Sequence, residues 1–491
     1  MARMRTVAAL AAALTATVLA APPQADGTAT HTPYHQKLSW AACAGLPVHG
    51  PASMECGTLT VPRDYAHPKS GELDIAVSRI PATGPGARLG SLVVNFGGPG
   101  IPGITELAER TAAGELARLN RRYDLIGFDP RGTGRSTPVD CGDLSGVTAT
   151  DPAAQARQVA QACRKHSGAL LRWVGTPNAA HDLDVVRAAL GDDRLTYLGF
   201  SYGGRLGSVY AHEFPHHTGR VVLDGVPDPT LDDTGTALAQ AAAFQHALGD
   251  FAADCASRGC PVPGRTRAEV VSGIAAAARS LGGRALPTVS GRLDRSAYLQ
   301  GVQNALYSKD DWTFLREALD ALREGDGELM MQLAYPGQLG VAARPVRASS
   351  WSTPGNYEMA KLAIDCRDTP ERHTPAAVHA LDGRFARASS VFGTSIEATL
   401  LSCTGWSPGD PASRRVAAPT APQALLVSTT GDPATPYPGA AHMAAALANG
   451  SRVLTYRGEG HGAYFAHSPC VTAGVEAYLI DGAMPKVGAV C

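Results

Sequence analysis

The chain is short of charge, and neither sign is in excess. Asp, Glu, Lys and Arg make up 18% of its 491 residues, below the usual quarter. The 43 basic and 44 acidic side chains leave a formal net charge of -1. A chain this close to neutral has no global field for gathering nucleic acid or an anionic membrane surface, so neither is an expected partner. Aromatic residues are sparse at 6%, and lysine stands at only six positions: 37, 69, 165, 309, 361 and 486. Beyond the amino terminus no stretch approaches the ~20 apolar residues of a membrane span. Apolar residues are not lacking overall: they reach 44%, enough for a sizeable core and against wholesale disorder. The 54 Gly and 35 Pro imply many sharp turns. Length alone suggests two or three domains at roughly 150 residues each, although α/β enzymes often exceed that as one core carrying an insertion.

The amino terminus and the cysteines indicate the compartment. Arg3 and Arg5 form a positive start, Val7 to Leu19 a short apolar run, and Val18-Leu19-Ala20 a small-residue cleavage site, the pattern of a secretory signal peptide over residues 1–20. No cysteine stands at that site and the two arginines are not adjacent, which argues against lipid anchoring and twin-arginine export. Ten cysteines follow, Cys43, Cys56, Cys141, Cys163, Cys255, Cys260, Cys366, Cys403, Cys470 and Cys491. An even count in an exported chain reads as five disulfides. Metal ligation needs clustered pairs such as C-x-x-C, whereas Cys255 and Cys260 have four residues between them. The sequence does not fix the connectivity; pairing each cysteine with its neighbour closes the shortest loops.

The hydrophobic pattern changes along the chain. Thr58–Val61 and Leu73–Ile80 read as a hairpin. Short apolar runs bounded by Gly and Pro follow at Leu92–Phe96, Tyr123–Phe128, Leu195–Phe200, Val221–Leu223, Ala424–Val427 and Arg452–Tyr456, as in parallel strands buried on both faces. Helical stretches lie between them at about 104–120, His181–Leu190 and Gly204–His212. This alternation predicts a doubly wound, mostly parallel α/β core. It stops near residue 230 and resumes near 415. The interval is Ala-rich and helical in period (236–256, 266–282, 310–325, 358–364, 374–390). The expected organisation is a core from 40 to 230, an inserted helical lid from 231 to 414, and the rest of the core from 415 to 491.

The strand ending at Phe200 runs into Gly199-Phe-Ser201-Tyr-Gly203 and then a helix. G-x-S-x-G is a weak signal by itself, but between a buried strand and a helix it is the turn that lifts a nucleophilic serine off a sheet. A serine hydroxyl needs a base, and the base needs an orienting carboxylate. In this architecture the chain order is Ser, acid, His. Asp432 and His461 each follow a buried strand, at the carboxyl ends where α/β sheets keep their ligands. Asp224 also ends a strand and competes with Asp432 for the acid. The oxyanion donors expected are the amide of Tyr202, after the nucleophile, and that of Gly98, in the glycine-rich loop Gly97-Gly-Pro-Gly100. Two motifs are decoys. Gly98-Pro-Gly100-Ile-Pro-Gly103 matches G-x-G-x-x-G, but two prolines remove amide donors from a phosphate loop. His212-Glu-Phe-Pro-His216 matches H-E-x-x-H, but Pro215 breaks the helix that a zinc site needs.

Gly97-Gly-Pro-Gly100, Asp129-Pro-Arg-Gly-Thr-Gly-Arg-Ser136, Gly199-Phe-Ser-Tyr-Gly203, Gly431-Asp432 and Gly460-His-Gly462 together resemble the prolyl-aminopeptidase family of α/β-hydrolases, in particular its secreted tripeptidyl-aminopeptidase-like branch. The likeness spans about 40–491 and includes Asp182-Leu-Asp184 with Val186-Arg187. Cytosolic relatives carry His before G-G-P-G, where Asn95 and Phe96 stand here. The resemblance implies a secreted, cofactor-free and metal-free monomer that releases short peptides, typically tripeptides, from free amino termini. It also implies carboxylates for the substrate's ammonium group; Asp365 and Asp368 are the candidates, with a lid-packing pair as the alternative. Arg131 would organise the active-site floor or make a structural salt bridge. Two rivals remain: a secreted carboxylesterase or lipase using the same triad, and a non-catalytic binding protein on a hydrolase scaffold.

Overall fold

The computed structural model describes residues 33–48, 50–335 and 356–491; the expected signal peptide lies outside them. The strands in chain order are β1 (Ala41–Ala42), β2 (Glu55–Pro62), β3 (Glu72–Ile80), β4 (Ser91–Asn95), β5 (Asp124–Phe128), β6 (Leu195–Phe200), β7 (Thr218–Asp224), β8 (Leu286–Thr288), β9 (Gly291–Leu293), β10 (Leu425–Gly431) and β11 (Arg452–Glu459). Nine of them form one sheet in the order β1-β2-β3-β5-β4-β6-β7-β10-β11. β1, β2 and β3 join antiparallel, and everything from β5 to β11 is parallel. The fold is that of an α/β-hydrolase, mostly parallel and doubly wound as the alternation predicted.

Alternate residues of the central strands feed two cores. Val93, Ile126, Tyr197, Leu223 and Leu426 pack into the cluster on one face. Val94, Leu125, Leu198, Val222 and Val427 pack into the other. Strands covered on both sides can be apolar at successive positions, hence the continuous runs in the sequence. Two breaks in the helices beside the sheet have a local reason. Thr176–Leu190 ends at Gly191, which is left-handed at φ 77°, a conformation glycine adopts without a side-chain clash. The expected helix at 104–120 is two helices, Gly103–Ala112 and Ala117–Asn120, because Gly114 between them turns to φ 78°.

From β4 the chain passes to β5 on one side, and from β6 to β7 on the other. The crevice at the carboxyl ends of β4 and β6 is therefore a topological switch point, where open α/β sheets bind ligands. β7 and β10 are hydrogen-bonded neighbours, and the chain between them leaves the sheet. Most of it packs around a third core that includes Phe244, Phe251, Tyr298, Trp312, Phe385 and Phe392. Its helices include Asp233–Ser257, Arg267–Gly283, Arg295–Ala305 and Trp312–Arg323. Arg267–Gly283 opens on a capping box, Thr266 with Glu269, which satisfies two otherwise orphaned amides. The helix Tyr357–Asp368 instead contributes Ala363 and Ile364 to a sheet-side core. Five disulfides join Cys43–Cys56, Cys141–Cys163, Cys255–Cys260, Cys366–Cys403 and Cys470–Cys491. Among the described residues no helix is long and apolar enough to cross a membrane.

Candidate active site

Ser201 stands between β6 and the helix Tyr202–Glu213 at φ 55° and ψ -119°, a region a non-glycine residue occupies only when its surroundings hold it there. Its amide donates to the Asp224 carbonyl at 2.9 Å, and its carbonyl accepts the Gly204 amide at 2.8 Å. The flanking glycines are there for space. A Cβ on Gly199 would lie 2.5 Å from the Gly203 carbonyl oxygen, and one on Gly203 2.7 Å from that of Asn95. Both are overlaps that backbone cannot relieve, so the turn admits glycine at each side of the serine.

Asp432 and His461 follow β10 and β11. Asp432 shapes its own turn, its Oδ1 accepting the amides of Ala434 at 2.9 Å and Thr435 at 2.8 Å. His461 Nδ1 lies 3.0 Å from Oδ1 and 2.9 Å from Oδ2 of that carboxylate. A carboxylate at Nδ1 fixes the ring proton there and leaves Nε2 with its lone pair. Burial works against a charge on His461. The Asp432 carboxylate and its hydrogen bond, then Asp224, outweigh burial and hold the imidazole above its ordinary value. No motif marks Thr435, whose hydroxyl donates to Asp432 Oδ2 at 2.9 Å and lies 3.2 Å from His461 Nδ1.

Asp224, the competing acid, has another task. Its carboxylate accepts the amides of Ala463 (2.9 Å) and Tyr464 (2.8 Å), just past the histidine. Burial raises it to about 6 against the pull of those amides. Asp224 also links the site internally: its carbonyl holds Ser201, and a Cβ on Gly225 would lie 3.2 Å from His461 Cε1.

The glycine loop after β4 lies against Ser201. Gly97 and Gly98 have φ 92° and 100°, and a Cβ on Gly97 would meet the Phe200 carbonyl at 2.6 Å and Ser201 Cβ at 2.9 Å. The Gly97 amide donates to Asn95 Oδ1 at 3.0 Å. Asp129 braces this region from β5, accepting the amides of Ile104 at 3.0 Å and Arg135 at 2.8 Å. Arg131 is wholly buried, paired with Asp182 and donating to the carbonyls of Pro62, Arg63 and Trp173; it is the structural salt bridge of the two roles considered. Of the decoy histidines, His212 lies on a helix that stops at Glu213 and His216 lies beyond it.

The segment between β7 and β10 covers this edge. A Cβ on Gly100 would lie 2.8 Å from the Lys361 amide nitrogen and 2.9 Å from the Tyr357 carbonyl, so the helix Tyr357–Asp368 rests on the glycine loop. Asp365 on that helix is half-exposed and paired with Lys361. Asp368 is buried, receives the Thr176 amide at 2.8 Å and the Thr176 hydroxyl, and is raised to about 6 by burial. The same Thr176 oxygen lies 2.7 Å from the Tyr202 hydroxyl. Asp368 thus stands behind the Ser201 turn with its carboxylate engaged by Thr176; of the two candidate acids, Asp365 is the more exposed.

The amino-acid sequence is 36% identical over 489 residues to serine protease Hip1 of Mycobacterium tuberculosis, covering 93% of this chain and 91% of that one. The chain belongs to the TAP-like family of α/β-hydrolases. Its carboxyl-terminal part, residues 389–491, matches the model of the TAP-like protein family, and this TAP-like chain is a serine hydrolase. Other relatives are a tripeptidyl aminopeptidase of Streptomyces coelicolor, 33% identical over 91% of this chain and 84% of that one, and carboxylesterase B of Mycobacterium tuberculosis, 34% identical over 96% and 95%.

Proposed function

We propose that this TAP-like hydrolase is an exported serine exopeptidase that releases short peptides, chiefly tripeptides, from free amino termini. The observation that carries the mechanism is the Asp432–His461 pair at the same sheet edge as the strained Ser201. Ser201 Oγ attacks the scissile carbonyl carbon while His461 Nε2 takes its proton. The carbonyl π electrons move onto oxygen, where the amides of Gly98 and Tyr202 receive the negative charge. The Gly97 amide is committed to Asn95, so the next amide in the loop is the donor. Collapse expels the amine, which leaves with the proton from His461. Water, deprotonated by the same histidine, then releases the acyl group and restores Ser201.

The tripeptidyl aminopeptidase and serine protease among the relatives support a peptide substrate, and five disulfides support an oxidising compartment. Asp365, half-exposed on the helix above the glycine loop, is the acid assigned to the substrate's ammonium group. The carboxylesterase relative favours a second reading, ester hydrolysis by the same triad. One comparison separates them: a tripeptide anilide with a free amino terminus, its acetylated copy and a short-chain ester. Preference for the free peptide is expected. Equal rates on the free and acetylated peptides exclude the aminopeptidase, and ester turnover with no peptide turnover establishes the esterase.

A further inference from the structure

The histidine loop is attached to the covering segment as well as to the sheet. The main-chain amide of His461 donates to the Tyr307 carbonyl at 2.7 Å. Ser308 and Gly460 form an antiparallel bridge, and a Cβ on Gly460 would lie 2.8 Å from the same Tyr307 oxygen. The Tyr307 ring stands edge-on to the imidazole, with centroids 5.5 Å apart and planes at 88°. From the other side Tyr307 packs against Phe244 of the long helix Asp233–Ser257, at 5.8 Å. One backbone hydrogen bond and one ring contact therefore reach His461 from Tyr307, a residue far from it in sequence, while the adjoining Ser308–Gly460 bridge holds the loop just before it.

We propose that Tyr307 is a positioning residue for His461: its backbone fixes the height of the histidine loop, and its ring fixes the imidazole plane and keeps water from it. This rests on His461 acting as the base. The Asp432 contact at Nδ1 restrains the ring at one atom, and a ring held at one edge still pivots about that bond. The edge of Tyr307 removes this freedom. Catalysis needs the restraint because Nε2 must meet the serine hydroxyl within hydrogen-bond reach in every turnover.

The titratable groups facing His461 are Asp432 from the end of β10, Asp224 from the end of β7, and Tyr307 itself, whose own hydroxyl feels the charge of Lys361. Both carboxylates raise the imidazole, whereas burial lowers it. Removing the Tyr307 ring admits water and leaves the carboxylates in place, so the imidazole rises further. The acid limb of the rate profile should then move to higher pH.

The test compares Tyr307→Ala, Tyr307→Leu and Tyr307→Phe in the full chain, on whichever of the tripeptide anilide and the ester is turned over. Reaction of Ser201 with a fluorophosphonate counts the folded sites, so kcat is expressed per competent site. Tyr307→Ala and Tyr307→Leu should lower kcat roughly 10- to 100-fold, the cost of a misplaced reacting group. KM should change little, and the acid limb should shift upward. Tyr307→Phe keeps the ring edge and should recover most of kcat and the original limb. Val289→Ala, at the exposed tip of the β8–β9 hairpin, should leave both unchanged. An unmoved limb in Tyr307→Leu, or a Phe variant as impaired as Leu, overturns the positioning role. Retained activity in Ser201→Ala and His461→Ala would instead remove the underlying triad, a result that the Tyr307 variants cannot produce.

Discussion

Asp224 and Asp432 end neighbouring strands, yet only Asp432 meets the ring of His461; Asp224 holds the two amides that follow it in the loop. One carboxylate orients the imidazole and the other anchors the chain that carries it. Their variants should fail differently. Asp432→Asn leaves the fold in place and lowers kcat by roughly 10³- to 10⁴-fold, because the amide no longer enforces the right tautomer. Asp224→Asn keeps an acceptor but weakens a buried grip, so the loss is mainly in stability, about 1–3 kcal/mol. Parallel kcat and thermal-midpoint measurements decide; a larger kcat loss in Asp224→Asn reverses the assignment.

The pH–rate profile should carry the imprint of the raised imidazole. kcat/KM should rise with pH through an apparent pKa above the ~6.5 of an unperturbed histidine. In Asp432→Asn burial is left with a weaker opponent, and the remaining activity should have its acid limb at lower pH. A limb that stays put in this variant would show that another group titrates there.

Stability should be greatest in mild acid. Burial raises Asp129, Asp224 and Asp368 each to about 6, while in the unfolded chain they titrate near ~3.9. Between those values the folded protein binds more protons, so stability falls as pH rises from ~4 to ~6. His461 acts in the same direction: its contribution is complete below its unfolded value and disappears as pH rises through its raised folded one. Scanning calorimetry should give a higher thermal midpoint near pH 5 than near pH 7.5. A midpoint that climbs steadily over that range refutes the attribution.

The Cys470–Cys491 bridge should matter to the base more than its place at the chain end suggests. The tail it secures runs beside β11, with the Cys491 amide donating to the Thr455 carbonyl at 2.7 Å and the Thr455 amide to Ala489 at 3.0 Å. β11 leads directly into His461. Replacing both cysteines by serine should cost about 2–4 kcal/mol. Activity should fall at lower denaturant than the loss of bulk helix signal, followed by circular dichroism. Coincident transitions would mean that the bridge acts on the whole fold alone.

The sheet was legible because its strands are buried on both faces and bounded by turn residues; each apolar run from Leu92 to Tyr456 coincides with a strand. The helix Arg295–Ala305 and the β8–β9 hairpin were not legible, because they fold against the third core, which sets their pattern more than local preference does. Ser201, Asp432 and His461 could be read from glycine-marked turns at strand ends. Thr435 and Tyr307 could not. A threonine three residues after an aspartate is common, and Tyr307 reaches His461 only through tertiary packing. That Asp368 is buried against Thr176 while Asp365 is half-exposed was not legible either, because sequence does not show depth.

The pairing of Val222–Asp224 with Leu425–Val427 joins stretches separated by the whole segment between β7 and β10. Such a contact forms late, because the long loop between its partners must first be made and closed. Ser201 is synthesised well before His461, the base proposed for it, and before β10 and β11 exist. On the proposed mechanism an unfinished chain carries an inert hydroxyl, and hydrolytic power arrives with the last strand.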